Sequence, residues 1–286
     1  MKLAKSDRRL MIWAVVILVP IVIALALVPQ SEQESGIPST YSAQSRGAKA
    51  AFLFLQEQGY DAERWEKPPR ELPADPANTV LILAYPTDYP TSEERDDLQR
   101  YLNLGGKILA TGSSVDAFLP QAHTEFEVQP NPKWKEYQPQ VLSSLTRAGT
   151  IKMTPAAYWD SRSLQYLVHY ADGDRPIVIS YKVGKGEVIW WGSSIPLTNA
   201  GVTEAGNLGL LLNSLGRARE VHVYWDEYFH GYRRTLDSYM GEPPVKWGLW
   251  QCAFIALAMI LTYSRRNGPI RSGDEPKRLS PLEFVH

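Results

Sequence analysis

Two long uncharged apolar runs bracket this chain, and they constrain it more than any other feature. The first is Leu10 to Val28 and the second is Trp247 to Ser264. About 18 or more consecutive apolar residues are enough for a helix to cross the hydrocarbon core of a bilayer. Two such runs put both termini on one side of a membrane. They leave the stretch between them as a body held at both ends.

Flanking charge orients the pair. Lys2, Lys5, Arg8 and Arg9 precede the first run, and Arg265, Arg266, Arg271, Lys277 and Arg278 follow the second. Residues 29–42 contain no Lys or Arg and carry Glu32 and Glu34. Positive flanks stay in the cytoplasm, so the bias places both tails inside and the central body outside. The expected plan has a cytoplasmic tail (1–9), a transmembrane helix (10–28) and a linker (29–42). An extracytoplasmic domain (43–232), a second linker (233–246), a second transmembrane helix (247–264) and a cytoplasmic tail (265–286) follow. In a bacterium this is a plasma-membrane protein. Ala24-Leu25-Ala26 also fits a signal-peptidase site, which is the alternative for the first run, although that run exceeds the usual length of about 7–15 residues. Trp247, Trp250 and Tyr263 at the ends of the second run suit a membrane interface rather than a buried core helix.

About 220 residues lie between the runs, enough for one good-sized domain or two small ones. Thirty basic residues balance 31 acidic ones. With no basic block outside the tails, nucleic-acid binding has no electrostatic basis. The single cysteine, Cys252, falls in the second run, so the outer domain has no disulfide. No cofactor signature is present.

Helix and strand patterns alternate through the middle. Residues 43–59 read as a helix, with Ala50, Leu53 and Phe54 on the buried face and Gly59 as its stop. Residues 60–65 read as a short strand. The continuous apolar run 79–84 reads as a strand covered on both faces. Ser92 caps a helix to Leu102, ended by Gly105-Gly106, and 107–110 is the next strand. This β-α-β order implies a parallel pair. Residues 111–150 are irregular. Residues 176–181 and 186–191 form a hairpin, 203–215 a helix with Leu208, Leu211, Leu212 and Leu215 inward, and 220–225 a strand. The sum is a three-layer α/β domain with a mostly parallel sheet.

Several segments carry a family resemblance. They are Ser45-Arg46-Gly47-Ala48, Leu104-Gly105-Gly106-Lys107, Leu197-Thr198-Asn199-Ala200-Gly201, Asp226-Glu227-Tyr228-Phe229-His230-Gly231 and Pro281-Leu282-Glu283-Phe284-Val285. With the two flanking runs, they resemble bacterial membrane proteins carrying the domain of unknown function 4350. That resemblance implies a soluble part of the class I glutamine amidotransferase-like fold. It also implies partners among other membrane or periplasmic proteins, including an AAA-type ATPase system, and it supplies no reaction. Relatives usually continue past Glu-Phe-Val into a cytoplasmic helix, whereas this sequence stops at His286, which sets a tail-dependent role aside.

Amidotransfer in that fold needs a cysteine nucleophile on a strand-to-helix turn. The corresponding turn here reads Thr111-Gly112-Ser113-Ser114. Gly-x-Ser-x-Gly is absent, so Ser113 and Ser114 read as turn residues. The strongest chemical group is Asp226, Glu227 and His230, with Gly231 beside it, just after a strand end where α/β proteins gather ligands. Two carboxylates and an imidazole suit acid–base hydrolysis or a divalent metal. The competing reading pairs the carboxylates with Arg233 or Arg234. Ser193, Thr198, Asn199 and Asn207 form a second polar group, suited either to a ligand or to backbone capping. Trp134, Trp190 and Trp191 read as packing residues. The sequence therefore favours a scaffold or binding module without its family's nucleophile. The alternative is a hydrolase built on Asp226, Glu227 and His230.

Overall fold

The computed structural model describes residues 36–120, 122–127, 133–160, 165–232 and 243–266. The chain divides into two units, Met1–Arg233 and Arg234–His286.

The first unit is built on a seven-stranded sheet. Its strands are β1 (Asp61–Trp65), β2 (Thr79–Ala84), β3 (Lys107–Thr111), β8 (Leu167–Asp172), β9 (Arg175–Val183), β10 (Gly186–Trp191) and β11 (His222–Asp226), in the order β1-β11-β2-β3-β10-β9-β8. Neighbours from β1 through β10 run parallel, while β9 and β8 add antiparallel strands at one edge. Two small antiparallel pairs lie outside it. One joins β4 (Thr124–Phe126) to β7 (Ala157–Trp159), and the other joins β5 (Lys135–Tyr137) to β6 (Ile151–Met153).

The apolar pattern explains why this sheet is central. Every residue of β2 is buried, as is all of β10 except one half-buried position. Parallel strands need cover on both faces, and helices supply it. One face packs Val80, Ile82, Leu109, Ile189, Val223 and Trp225 against helices α1 (Lys49–Glu57) and α3 (Asn207–Leu215). The other packs Leu81, Leu83, Ile108, Ala110 and Trp190 against helix α2 (Ser92–Asn103). This is the mixed α/β arrangement expected from the alternating pattern.

Local details differ from the sequence reading. Helix α1 begins at Lys49, not Ala43, and buries Ala48, Ala51, Phe52 and Leu55. Ala50 and Leu53 are exposed and Phe54 is half-buried, so the inward face is rotated from the expected one. The segment is apolar almost all round, and contact with the sheet selects the face. The cap of α2 is Thr91 rather than Ser92. Its hydroxyl accepts from the Glu94 N–H while the Glu94 carboxylate accepts from the Thr91 N–H, a reciprocal capping box. Helix α3 starts at Asn207 and fully buries Leu210, Leu211 and Leu215, with Leu208 and Leu212 only partly covered. The expected linker is also shorter than its bounds, because Ser39 and Thr40 are buried in the domain.

The second unit contains helix α4 (Pro243–Arg266), which covers the second apolar run. Trp247, Trp250, Phe254, Leu257 and Met259 on it are exposed, as is Cys252. Among the described residues no helix is long and apolar enough to cross a membrane. The first apolar run, the N-terminal tail and residues 267–286 lie outside the described residues.

Candidate functional site

Strand β11 ends at Asp226, and the chain turns at once through a single 3₁₀ turn, Tyr228–His230, closed by Gly231 at φ +89°. Asp226 holds this turn by accepting the Phe229 N–H at 3.2 Å. Complete burial pushes its carboxyl up to about 7, since it removes the water that would solvate the charge. The neighbouring charge of His230 and the backbone donors partly offset that burial.

His230 faces the other way. Its Nε2 lies 2.8 Å from the Ala84 carbonyl at the end of β2, and its Nδ1 lies 3.0 Å from Glu227 Oε2. A carbonyl only accepts, so Nε2 carries a proton. A carboxylate also only accepts, so the contact at Nδ1 requires a second proton and favours the imidazolium. Burial by itself lowers the affinity of His230 for that proton. The hydrogen bond and charge of Glu227, with Asp226 beside them, outweigh it and raise the net value.

Glu227 is the hub. Its side chain is 0% exposed. Its other oxygen, Oε1, accepts both the backbone N–H and the hydroxyl of Thr40 at 2.6 Å. Arg64 on β1 reinforces the same threonine, donating to its hydroxyl at 2.8 Å and to its carbonyl at 3.2 Å. The Arg64 guanidinium lies 4.4 Å from the ring centres of Tyr41 and Phe52. Beside this group, the rings of Tyr41 and Tyr232 pack 4.8 Å apart. The Glu227 N–H bonds the Trp65 carbonyl. The group therefore ties together the ends of β1, β11 and β2 and the segment that leads into the domain.

The acid–base trio predicted from sequence does come together, but around Thr40 and the backbone, with all three side chains buried. Among the described residues no set of three or more His, Cys, Asp or Glu side chains is arranged to hold a metal ion. Both imidazole nitrogens and both Glu227 oxygens are engaged in hydrogen bonds within the domain. Arg233 and Arg234, the partners considered for these carboxylates, lie outside the described residues.

The second polar group separates into two roles. Asn199 Oδ1 accepts the Ala50 N–H at 2.7 Å and so caps α1 from a distant loop. Its Nδ2 donates to the carbonyls of Ser42 and Gln44. Asn207 accepts from the Lys152 N–H and donates to the carbonyls of Lys152 and Gly201. Both side chains complete backbone that has no regular partner. Ser193 and Thr198 bond the backbone of their own turn and also line a cavity of about 550 Å³. It opens beyond the C-terminal ends of β2 and β10, where open α/β sheets gather ligands. Its wall also includes Arg46, Tyr85, Trp134 and Thr154, which sequence reasoning did not connect. Trp190 and Trp191 are fully buried as expected, whereas Trp134 stands at this cavity. A smaller cavity of about 310 Å³ lies at the opposite, N-terminal strand edge beside Asp61 and His222. Ser114 donates to the Pro86 carbonyl, which suits the turn role expected of it.

Fold and site together define an α/β domain braced by a buried Glu–His pair, with a separate cavity at the sheet's C-terminal edge. A family profile described as Domain of unknown function (DUF4350) matches residues 40–215, and the chain belongs to that family. It is similar to the uncharacterized membrane protein Rv3691 of Mycobacterium tuberculosis, 25% identical over 214 residues, 72% of this chain and 53% of that protein. The chain thus spans about half the length of this curated relative. Among solved structures, the mmIFT52 N-terminal domain is 16% identical, with a TM-score of 0.36 over 46% of this chain and 73% of its own. Cytoplasmic Protein STM3548 from Salmonella typhimurium is 10% identical, with a TM-score of 0.36 over 48% and 70%.

Proposed function

We propose that this protein is a membrane-anchored, non-enzymatic binding module with its domain outside the cytoplasm. One observation carries the reading. The segment leading in from the first apolar run and the segment leading out toward the second are clasped through Thr40 and Glu227. A domain tied to a bilayer by both ends needs those ends to leave from one place, and this clasp provides it. The exposed Trp247 and Trp250 of α4 suit a membrane interface. The similarity to a mycobacterial membrane protein points the same way.

A class I amidotransferase-like ancestry agrees with the parallel sheet, and the turn after β3 carries no cysteine nucleophile. The buried condition of Asp226, Glu227 and His230 favours a structural role for them over hydrolysis. The partners that suit this module are other membrane or periplasmic proteins, with an ATPase across the bilayer as one class.

The test is purification of the full chain from native membranes after alkaline washing, with metal analysis of the product. Retention in the washed membranes together with a stoichiometric protein partner supports the reading. Release by the wash, or a stoichiometric metal with no partner, contradicts it.

A further inference from the structure

The cavity at the C-terminal ends of β2 and β10 combines features that packing alone does not require. Tyr85, the first residue after β2, sits at φ +54°, a left-handed conformation that a bulky residue adopts only at a cost of about 1–2 kcal/mol. Gly112 makes room for it, since a Cβ there would approach the Tyr85 ring to 2.4 Å. A strained aromatic held at a cavity is a reason to look for a ligand. Phe126 and Trp134 add two exposed aromatic faces, 60% and 37% accessible.

Charge and hydroxyl groups complete the wall. Glu127 is neutralised by Arg175 at 2.5 Å, whereas Arg46 has no ion-pair partner among the described residues. The lining therefore carries one uncompensated positive charge. Ser193 accepts the Ile195 N–H, which leaves its own proton free to donate. The Thr154 hydroxyl is buried with no hydrogen-bond partner among the described residues, a condition that costs about 1–3 kcal/mol.

We infer that this cavity binds a small acid, a carboxylate or phosphate carried on a six-membered ring. Arg46 takes the anionic group by charge-assisted hydrogen bonds, with hydroxyl donors beside it. Tyr85, Phe126 and Trp134 cover the ring face, as aromatic side chains do for sugars and aromatic rings alike. The shared chemistry has two sources, a sugar acid and an aromatic acid. This inference deepens the binding-module reading, and it stands apart from membrane attachment.

Ligand-observed NMR on the full chain in membrane discs tests it. The probes are glucuronate and benzoate, each beside its neutral counterpart, glucose or benzamide. We expect saturable binding of at least one acid at about millimolar concentration or below, and at least about tenfold weaker binding of its neutral counterpart. Arg46→Ala, at an exposed position, is expected to weaken that acid by at least about tenfold and Trp134→Ala by several-fold. An unchanged melting curve for each variant establishes that it is folded. A response to glucuronate alone assigns a sugar acid, and one to benzoate alone an aromatic acid. Saturation by neither acid below about 10 mM overturns the inference, as does undiminished binding by a folded Arg46→Ala. Either failure leaves the membrane-retention result untouched, so the two readings fail separately.

Discussion

Glu227 accepts two hydrogen bonds from Thr40 at 2.6 Å, across a separation of 187 residues. This contact joins the first described turn of the domain to the end of its last strand, and both residues are 0% exposed. Because a buried carboxylate without partners is strongly disfavoured, the bond fixes where the two chain ends leave the fold.

Removing one partner leaves the others unsatisfied. Glu227→Ala strands the Thr40 N–H and an imidazolium, and we expect a loss of about 3 kcal/mol or more in chemical denaturation. Thr40→Val removes only the hydroxyl and is expected to lose about 1–2 kcal/mol. Equal, near-zero effects would show that the clasp contributes nothing to stability.

Stability should fall as pH rises. Asp226 has a folded value near 7, above the ordinary 3.8, and His230 is also raised. A raised folded value means the native state binds protons more tightly than the unfolded chain. The contribution of Asp226 is therefore complete below about pH 4 and is lost as pH climbs through about 7. That of His230 is complete below its ordinary 6.5 and is lost as pH rises through its higher folded value. Melting temperature measured between about pH 5 and about pH 8 should decline, and Asp226→Asn should flatten the curve. A flat wild-type profile would contradict the assignment.

Asn207 separates a backbone role from a ligand role. It makes three bonds to main-chain groups and is fully buried. Asn207→Ala is expected to destabilise by about 2–4 kcal/mol in denaturant titration. A fully stable variant would return this residue to the list of ligand contacts.

Gly112→Ala tests the strained wall of the cavity. Its φ of +85° and the 2.4 Å approach to Tyr85 leave no room for a methyl group. We expect a melting temperature lower by several degrees, equivalent to about 1–2 kcal/mol, and altered Tyr85 signals in NMR.

Much of this architecture is readable in the chain, for physical reasons that differ by element. The strand 79–84 announces itself because a strand covered on both faces needs an unbroken apolar run, here Val80 to Ala84. The face of α1 does not, because Ala50, Leu53 and Phe54 are as apolar as the residues that pack inward. The sheet alone decides between them. Asp226, Glu227 and His230 stand out by chemistry, yet their role depends on Thr40, an ordinary residue in a polar stretch. No local pattern marks it. Asn199 and Asn207 attract notice as polar groups near a helix start, but only the folded chain reveals the open backbone they complete. Tyr85 precedes Pro86, which biases a residue before it toward extended backbone, so nothing local signals its left-handed conformation.

The central claim is that both chain ends tether one outer domain to the membrane. A topology reporter active only outside the cytoplasm tests it most directly, placed after Gly173 in the β8–β9 turn in one fusion and after His286 in another. We expect activity at Gly173 and silence at His286. Silence at Gly173 with activity at His286 would contradict the claim.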